Sequence, residues 1–466
     1  MELTNFSRIA VIGGGPSGSL TAYFMLDLAE KIGIKLNVDI YEPALYEMPG
    51  AKGCNYCGGI VSETLVQMLA MEGINLPHEV VQRGIDAYQL HTEHGSASIN
   101  TPLDEMRIAA LYRGAGPLDC IKCAIPGDDG DPITYRSFDG FLLNLAVKKG
   151  AVIKPNRVTA VTRDHQFPVI EAKKAEPRRY DLVVGAVGVN SGGLRIFNKL
   201  GLNFKPPTIT KAFVTEIRLG RNGVDQAFGN AMHVFLLDIP RVSFAAIVPK
   251  GEYVTVIMLG KDLDQDSANR FLAHPTLISA FPEGTDLSPK SCKCRPDVNI
   301  GMASPVCSDR VVLVGDAAVS RLYKDGLGAA YRTAKACAFT ALIYGVSQKD
   351  FNKHYRPTCR KLDIDNTIGK AVFLTVDLFK WLPPLSKGMI RMVQREQASV
   401  DRNKAMSMVL WDTFTGSNSY LSIFLRCIHP MFLARLLIES FHSLIGGTDD
   451  EKGKRPKEQV NEGAEP

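Results

Sequence analysis

Two glycine-rich segments, roughly 300 residues apart, constrain the fold of this chain more than any other feature. The first is Arg8-Ile-Ala-Val-Ile-Gly-Gly-Gly-Pro-Ser-Gly-Ser19. The second is Val311-Val-Leu-Val-Gly-Asp-Ala-Ala318, continued by Asp325-Gly-Leu-Gly-Ala-Ala330. Ile9 to Ile12 is a short apolar run of the kind that forms a buried parallel strand. Gly13, Gly15 and Gly18 follow at G-x-G-x-x-G spacing. Gly13 permits a tight turn, Gly15 lets the backbone approach a pyrophosphate, and Gly18 lets the next helix pack against the strand. Pro16 and Ser17 fall in the first helical turn, where a missing N–H is no loss and the free amides and dipole end face an anion. The helix runs on through Leu20, Ala22, Phe24, Met25 and Leu28. A second strand, Lys35 to Glu42, ends in a carboxylate placed to accept hydrogen bonds from ribose hydroxyls. Glu42 lies beyond the usual spacing of about 20 residues, which a longer first helix explains.

In the second segment Val311 to Val314 again reads as a buried strand, ending in Gly315-Asp316. An aspartate at the end of such a strand can bond a hydroxyl of a ribityl chain. Gly326, Gly328 and Ala329 then open a helix whose N–H groups are placed to face a flavin ring or phosphates. Either segment alone is a weak signal, whereas both in this order read as two halves of one flavin site.

With these motifs, and with Tyr180-Asp-Leu-Val-Val-Gly-Ala-Val-Gly-Val-Asn-Ser191 between them, the chain resembles the FAD-dependent family with the p-hydroxybenzoate-hydroxylase fold. Within it the geranylgeranyl reductase branch is the most similar, over roughly residues 6–345 and more weakly 410–440. Arg136-Ser-Phe-Asp-Gly-Phe-Leu-Leu143 is similar to that family's Arg-x-x-Phe-Asp-x-x-Leu-Leu helix, which implies that Arg136 lies beside the flavin. The same resemblance implies that Ala160 lies near the adenine. Lys52-Gly-Cys-Asn-Tyr-Cys-Gly-Gly59 resembles the reductases' Cys-Gly-Gly loop at the flavin's reactive face, with Cys57 as the matching cysteine and Gly58 beside it. Thr415-Gly416 followed by Tyr420 looks like the reductases' C-terminal segment. Two departures stand out. The family's Gly-Ala-Asp-Gly is here Gly185-Ala-Val-Gly188, which weakens a hydroxylase reading. The aromatics of the reductases' substrate sheet are missing from Arg241 to Gly251, although its Pro-Lys-Gly is present.

The expected fold class is α/β: a Rossmann-like FAD-binding domain with a parallel sheet, an inserted antiparallel β-sheet substrate domain and a C-terminal helical region. The cofactor domain is expected to be discontinuous, over 1–85, 134–204 and 291–345. The substrate sheet takes 86–133 and 205–290, where alternating β-branched and aromatic residues favour strands. Residues 346–446 are helical in pattern, and 447–466, with almost no apolar residues, are expected to be a disordered tail.

A net charge of +5 is too mild for a nucleic-acid binder, and no basic stripe with interleaved aromatics is present. The apolar run near the start is too short for a secretory signal, so the expected location is cytoplasmic. Within 370–445 two apolar stretches, Ala371 to Pro384 and Tyr420 to Glu439, are interrupted by charges and fall short of the ~18 apolar residues a span needs. A basic, apolar, Trp-containing helical region of this kind can lie in a membrane interface on the cytoplasmic face, or it can simply pack on the core.

Cys54-x-x-Cys57 and Cys120-x-x-Cys123 have the spacing of thiolate zinc or iron–sulfur ligands. A dithiol redox pair at 54/57 and plain buried cysteines are the other readings, and no metal is assigned. The resemblance implies a reductase of carbon–carbon double bonds in an isoprenoid or lipid, with FAD as cofactor and NAD(P)H or a ferredoxin-like protein as electron donor. Its acid is then Cys57, with Cys54 and Tyr56 as competitors, since an ordinary thiol is mostly protonated at neutral pH. An FAD monooxygenase is the second reading, and an electron-transfer flavoprotein serving a membrane quinone the third.

Overall fold

The structure is a computed structural model and describes residues 1–44, 46, 57–101, 108–116, 137–200, 204–287, 294–399 and 403–445. Cys54, Tyr56, Arg136, Cys120, Cys123, Cys292 and the 447–466 tail lie outside the described residues.

Strand β1 (Arg8–Ile12) is the middle of a parallel sheet. It pairs on one side with β2 (Asn37–Tyr41) and on the other with Leu182–Gly185. Beyond β2 lies Val152–Lys154. Beyond Leu182–Gly185 lies Val311–Leu313, with Cys307–Ser308 antiparallel at the edge. The strands are buried on both faces, which is why they read as continuous apolar runs rather than as alternation. Helix α1 (Pro16–Lys31) packs against helices Phe138–Lys148 and Gly326–Phe339. The strand order reverses across β1, so the carboxyl ends of β1 and its neighbours frame a topological switch point, where open α/β sheets bind ligands.

The chain leaves this sheet twice to build a second one. Its order is Phe213–Arg218, Tyr253–Gly260, Val242–Lys250, Ala231–Leu236, Ala87–Thr92, Gly95–Asn100. One pairing departs from the expected antiparallel pattern: Ala231–Leu236 runs parallel to Ala87–Thr92. These two strands come from separate excursions, so no hairpin forces them antiparallel. Side chains alternate between two cores. Met232, Val234 and Leu236 meet the C-terminal helices, while Phe235, Ala245 and Ile247 meet Leu263, Phe271 and Leu277 on the other face.

The C-terminal region is helical, as its pattern predicts: Arg356–Trp381, Pro383–Ala398, Ala405–Thr415, Tyr420–Cys427 and Pro430–Ile445. Trp411 is buried against the second sheet, stacked on Tyr88 with ring centroids 4.6 Å apart.

Candidate functional site

The first glycine segment is shaped by contacts that leave no room for side chains. Gly13 has φ +104°, and a Cβ there would lie 2.4 Å from the Ala186 carbonyl oxygen; a Cβ on Gly18 would lie 1.8 Å from the Gly13 oxygen. Gly15 differs. A Cβ on it would meet nothing closer than the Arg113 Nη2 at 3.8 Å, then Asp139 and the Tyr46 hydroxyl at 3.9 Å. Gly15 is the N-cap of α1, and no side chain caps that helix, whose first turn carries Pro16 and Ser17 and no acidic residue. The Gly13 and Gly14 amides are bonded to the Tyr41 carbonyl and Glu42, so it is the first helical turn, with its positive dipole end, that is left to meet an anion.

The second segment closes directly onto the first. Gly315 takes a left-handed φ of +59°, and a Cβ there would lie 2.5 Å from the Ser17 hydroxyl. Two motifs roughly 300 residues apart in sequence are thus in van der Waals contact. Asp316 follows in a short turn and is half-buried; its desolvation pushes its carboxyl above the ordinary range, with Ser320 and Arg113 opposing that rise.

Arg113 is the residue that the sequence reading missed. Its guanidinium makes a bidentate pair with the buried Asp139, at 3.0 and 2.7 Å. Burial works against its charge, but Asp139 overrides this and raises its pKa, and both Cys57 and Asp316 are near enough to add to the effect. Arg113 thus stands in front of the α1 N-terminus, between the two glycine segments and the cysteine loop. The 138–148 helix fixes it there: Ser137 caps the helix and donates to the Arg113 carbonyl oxygen at 2.6 Å.

Glu42 lies at the end of β2 as expected, but it is already engaged. One carboxylate oxygen accepts from the Gly14 amide at 2.8 Å and the Tyr46 hydroxyl at 2.6 Å, the other from the Ala44 amide at 2.7 Å. The remaining lone-pair capacity is what a ribose could use.

Cys57 is half-buried and free, and its sulfur accepts from the Gly59 amide at 3.3 Å. Gly58 is packed against Ile257 of the second sheet. Gly59 has φ +71°, and a Cβ there would lie 1.9 Å from the Leu111 oxygen and 2.7 Å from the Lys250 Nζ. Lys250 is fully buried, with its ammonium 4.6 Å from the centre of the Tyr112 ring. The Lys-Gly noted at this point of the sequence is therefore a buried cation beside the cysteine loop.

The helix Gly326–Phe339 does not present its first turn as expected. Asp325, left-handed at φ 49°, caps it and accepts from the Gly328 amide at 3.1 Å. Its carboxylate also pairs with Arg321 and Arg332, each at 2.9 Å. That amide is already satisfied within the chain, while Gly326 and Ala329 pack beside it. Arg321 extends the network to the carbonyl oxygens of Gly416 and Asn418, at 2.7 and 2.6 Å. Lys324 donates to the Asp412 carbonyl at 2.7 Å, and its burial lowers its pKa well below the ordinary value. The segment around Gly416 and Tyr420 is thereby clamped onto the second half-site. Trp411 and Ser417 both donate to Glu63, on the helix after the cysteine loop.

Ala160 is buried in strand Val158–Asp164, opposite Glu171, in a small sheet that packs on the 193–200 turn. Cys307, Cys337 and Cys359 are buried near one another, and burial pushes the Cys307 and Cys359 thiols up to about 11 and about 12. Among the described residues, no group of three or more His, Cys, Asp or Glu could hold a metal ion.

No family model and no curated protein sequence matches the chain. Solved structures do. A flavoprotein/dehydrogenase from Cytophaga hutchinsonii is similar with a TM-score of 0.57 at 15% identity, over 94% of this chain and 100% of the other. The flavin-dependent brominase Bmp2 is similar with a TM-score of 0.55 at 14% identity, over 95% and 99%. A point mutant of the halogenase PltM in complex with FAD gives 0.57 at 14% identity, over 95% and 96%. The fold is that of the FAD-dependent flavoproteins, a mixed α/β architecture with a Rossmann-type cofactor domain.

Proposed function

We propose that this chain is an FAD-dependent oxidoreductase, and that it reduces carbon–carbon double bonds in an isoprenoid or similar lipid. The observation that carries the cofactor is the contact between the two half-sites: Gly315 against Ser17, with Arg113 beside Gly15 and an uncapped helix end. That donor set fits a pyrophosphate, which needs backbone amides, a cation and room at Gly15. The α1 amides and Arg113 hold the pyrophosphate, Glu42 takes a ribose hydroxyl with its spare lone pairs, and Asp316 takes the ribityl chain. FAD supplies the two-electron chemistry when bound.

The chain's own residues orient the substrate and hold a proton. Cys57 carries it at Sγ, held by the close packing of Gly58 and Gly59 on Ile257, Leu111 and Lys250. Ile257, partly buried beside Gly58, supplies an apolar contact for a hydrocarbon chain. Reducing equivalents come from NAD(P)H or a ferredoxin-like protein.

The second reading, an oxygenase or halogenase, is supported by the solved relatives: a brominase, a halogenase, and a point mutant of 2-methyl-3-hydroxypyridine-5-carboxylic acid oxygenase (TM-score 0.53, 15% identity, 81% of this chain, 93% of the other). Mixing dithionite-reduced, flavin-loaded protein with an isoprenoid alkene without oxygen separates the two. The reductase reading expects flavin reoxidation matched by saturated product. Reoxidation only when oxygen is admitted, with an oxygenated product, supports the second reading and refutes the first.

A further inference from the structure

The C-terminal helices Tyr420–Cys427 and Pro430–Ile445 form a bent pair, and their outward side is apolar. Ile423, Phe432 and Leu436 point into the core shared with the second sheet. On the other side Leu425, Ile428, Leu437, Ile438, Phe441 and Leu444 are all exposed, Leu437 and Leu444 at 63%. Trp381, at the end of the Arg356–Trp381 helix, is 66% exposed. An apolar surface of this extent marks a contact with something else.

Charge identifies what covers it. Asp412 is paired with Arg426, Glu439 with Arg395, and Asp377 with Lys380, while Glu396 accepts from the Met406 and Ser407 amides. Among the described residues from 370 to 444, no carboxylate is exposed, whereas Lys370, Lys387, His429, Arg435 and His442 all are. Two of these flank the helix pair directly: Gly369, before Lys370, packs on the Tyr420 ring, and Gly388, after Lys387, packs on Ser440. The fringe of this apolar surface is mostly cationic, with one exposed carboxylate beside it, Asp238, which accepts from the Trp381 indole N–H at 3.1 Å.

A second copy of the chain is a poor match. A twofold contact sets the same patch against itself, so five exposed basic side chains would face their own copies with Asp238 alone, already bonded to Trp381, as the described exposed carboxylate beside them. Residues 446–466 are a poor match as well, since Val460 and Ala464 are their only aliphatic side chains. An anionic lipid surface matches on both counts, taking the apolar side chains into the acyl boundary and the lysines and arginines at the headgroups.

We infer that the 420–445 helix pair, with Trp381, docks the protein on an anionic lipid bilayer, lying in the interface. Among the described residues no single helix is long and apolar enough to cross a membrane. The pair together has the length and apolar composition of a span but is bent by 63°, and its inner side is held in the protein core. This inference does not depend on which reaction the flavin site performs.

Vesicle flotation of the full-length protein tests it. Vesicles of equal parts phosphatidylcholine and phosphatidylglycerol are expected to carry the protein upward. Vesicles of phosphatidylcholine alone should carry less, and added salt should weaken the anionic binding. Leu437→Glu and Phe441→Glu should each reduce partitioning by about tenfold or more, with the melting temperature unchanged because both side chains are exposed. The inference is overturned if wild-type protein stays unbound with anionic vesicles. It is also overturned if sedimentation shows a dimer that Leu437→Glu dissociates while vesicle binding is unaffected.

Discussion

Replacing Gly15 by alanine separates cofactor binding from folding. In the structure the new methyl group meets nothing within 3.8 Å, so the apoprotein accommodates it. Gly15 has φ −66°, an ordinary value for alanine. As an N-cap, alanine is worse than glycine by up to about 1 kcal/mol. Removing a glycine restricts the unfolded chain and returns about 0.4–1 kcal/mol, so the two offset each other and stability should change by no more than about 1 kcal/mol. The flavin-bound state is different. The methyl occupies the space through which the pyrophosphate approaches the backbone, and forcing a group into an occupied site costs about 1–3 kcal/mol. That corresponds to roughly 5- to 150-fold weaker FAD binding. Flavin titration followed by fluorescence, beside a thermal melt of the flavin-free protein, reads both quantities. Wild-type FAD affinity in Gly15→Ala would refute the placement of the pyrophosphate.

Three further outcomes follow from the same geometry. Gly18→Ala should destabilise the protein with or without flavin, since its Cβ would sit 1.8 Å from the Gly13 oxygen. The helix-propensity gain of about 1 kcal/mol does not offset that overlap, and the melt of flavin-free protein checks it. Arg113→Gln leaves Asp139 buried without its counter-ion and should cost about 3–5 kcal/mol in chemical denaturation. Adding Asp139→Asn should restore most of the stability but not the FAD affinity. Finally, burial holds His91 down to about 4 and His233 down to about 3, with the two ring nitrogens 3.1 Å apart. Both lie below the unfolded value of about 6.5, so the stability they confer is complete above that pH and is lost as pH falls toward 4. The loss at pH 4 from His91 is about 3 kcal/mol, and the double variant His91→Phe, His233→Phe should flatten this part of the pH–stability curve measured with urea.

What could be read from sequence was local. Gly13, Gly15 and Gly18 announce themselves because the turn needs residues without side chains at fixed spacing, and Glu42 because it ends a strand. The helix pattern after residue 346 was equally legible. Arg113 was not, because its importance comes from its pairing with Asp139 and from the nearness of Cys57 and Asp316, all distant in sequence. The cap at Asp325 did leave a signal, since aspartate directly before a helix is a preferred N-cap. Reading Gly328 as a free donor overlooked it. Lys250 ends a strand buried along its whole length, and neither alternation nor composition tells a buried lysine there from an exposed one. The exposed side of the 420–445 pair was hidden for a related reason: apolar periodicity shows that a helix has leucines, but not which of them the core covers.

The central claim is that this chain binds a flavin dinucleotide across two half-sites, with the pyrophosphate at the α1 N-terminus. Titrating flavin-free protein with FAD and, in parallel, with riboflavin tests it most directly. The account predicts one FAD per chain with bound-flavin absorption bands, and much weaker binding of riboflavin, which lacks the pyrophosphate. Failure to bind FAD, or equal affinity for both, would contradict it.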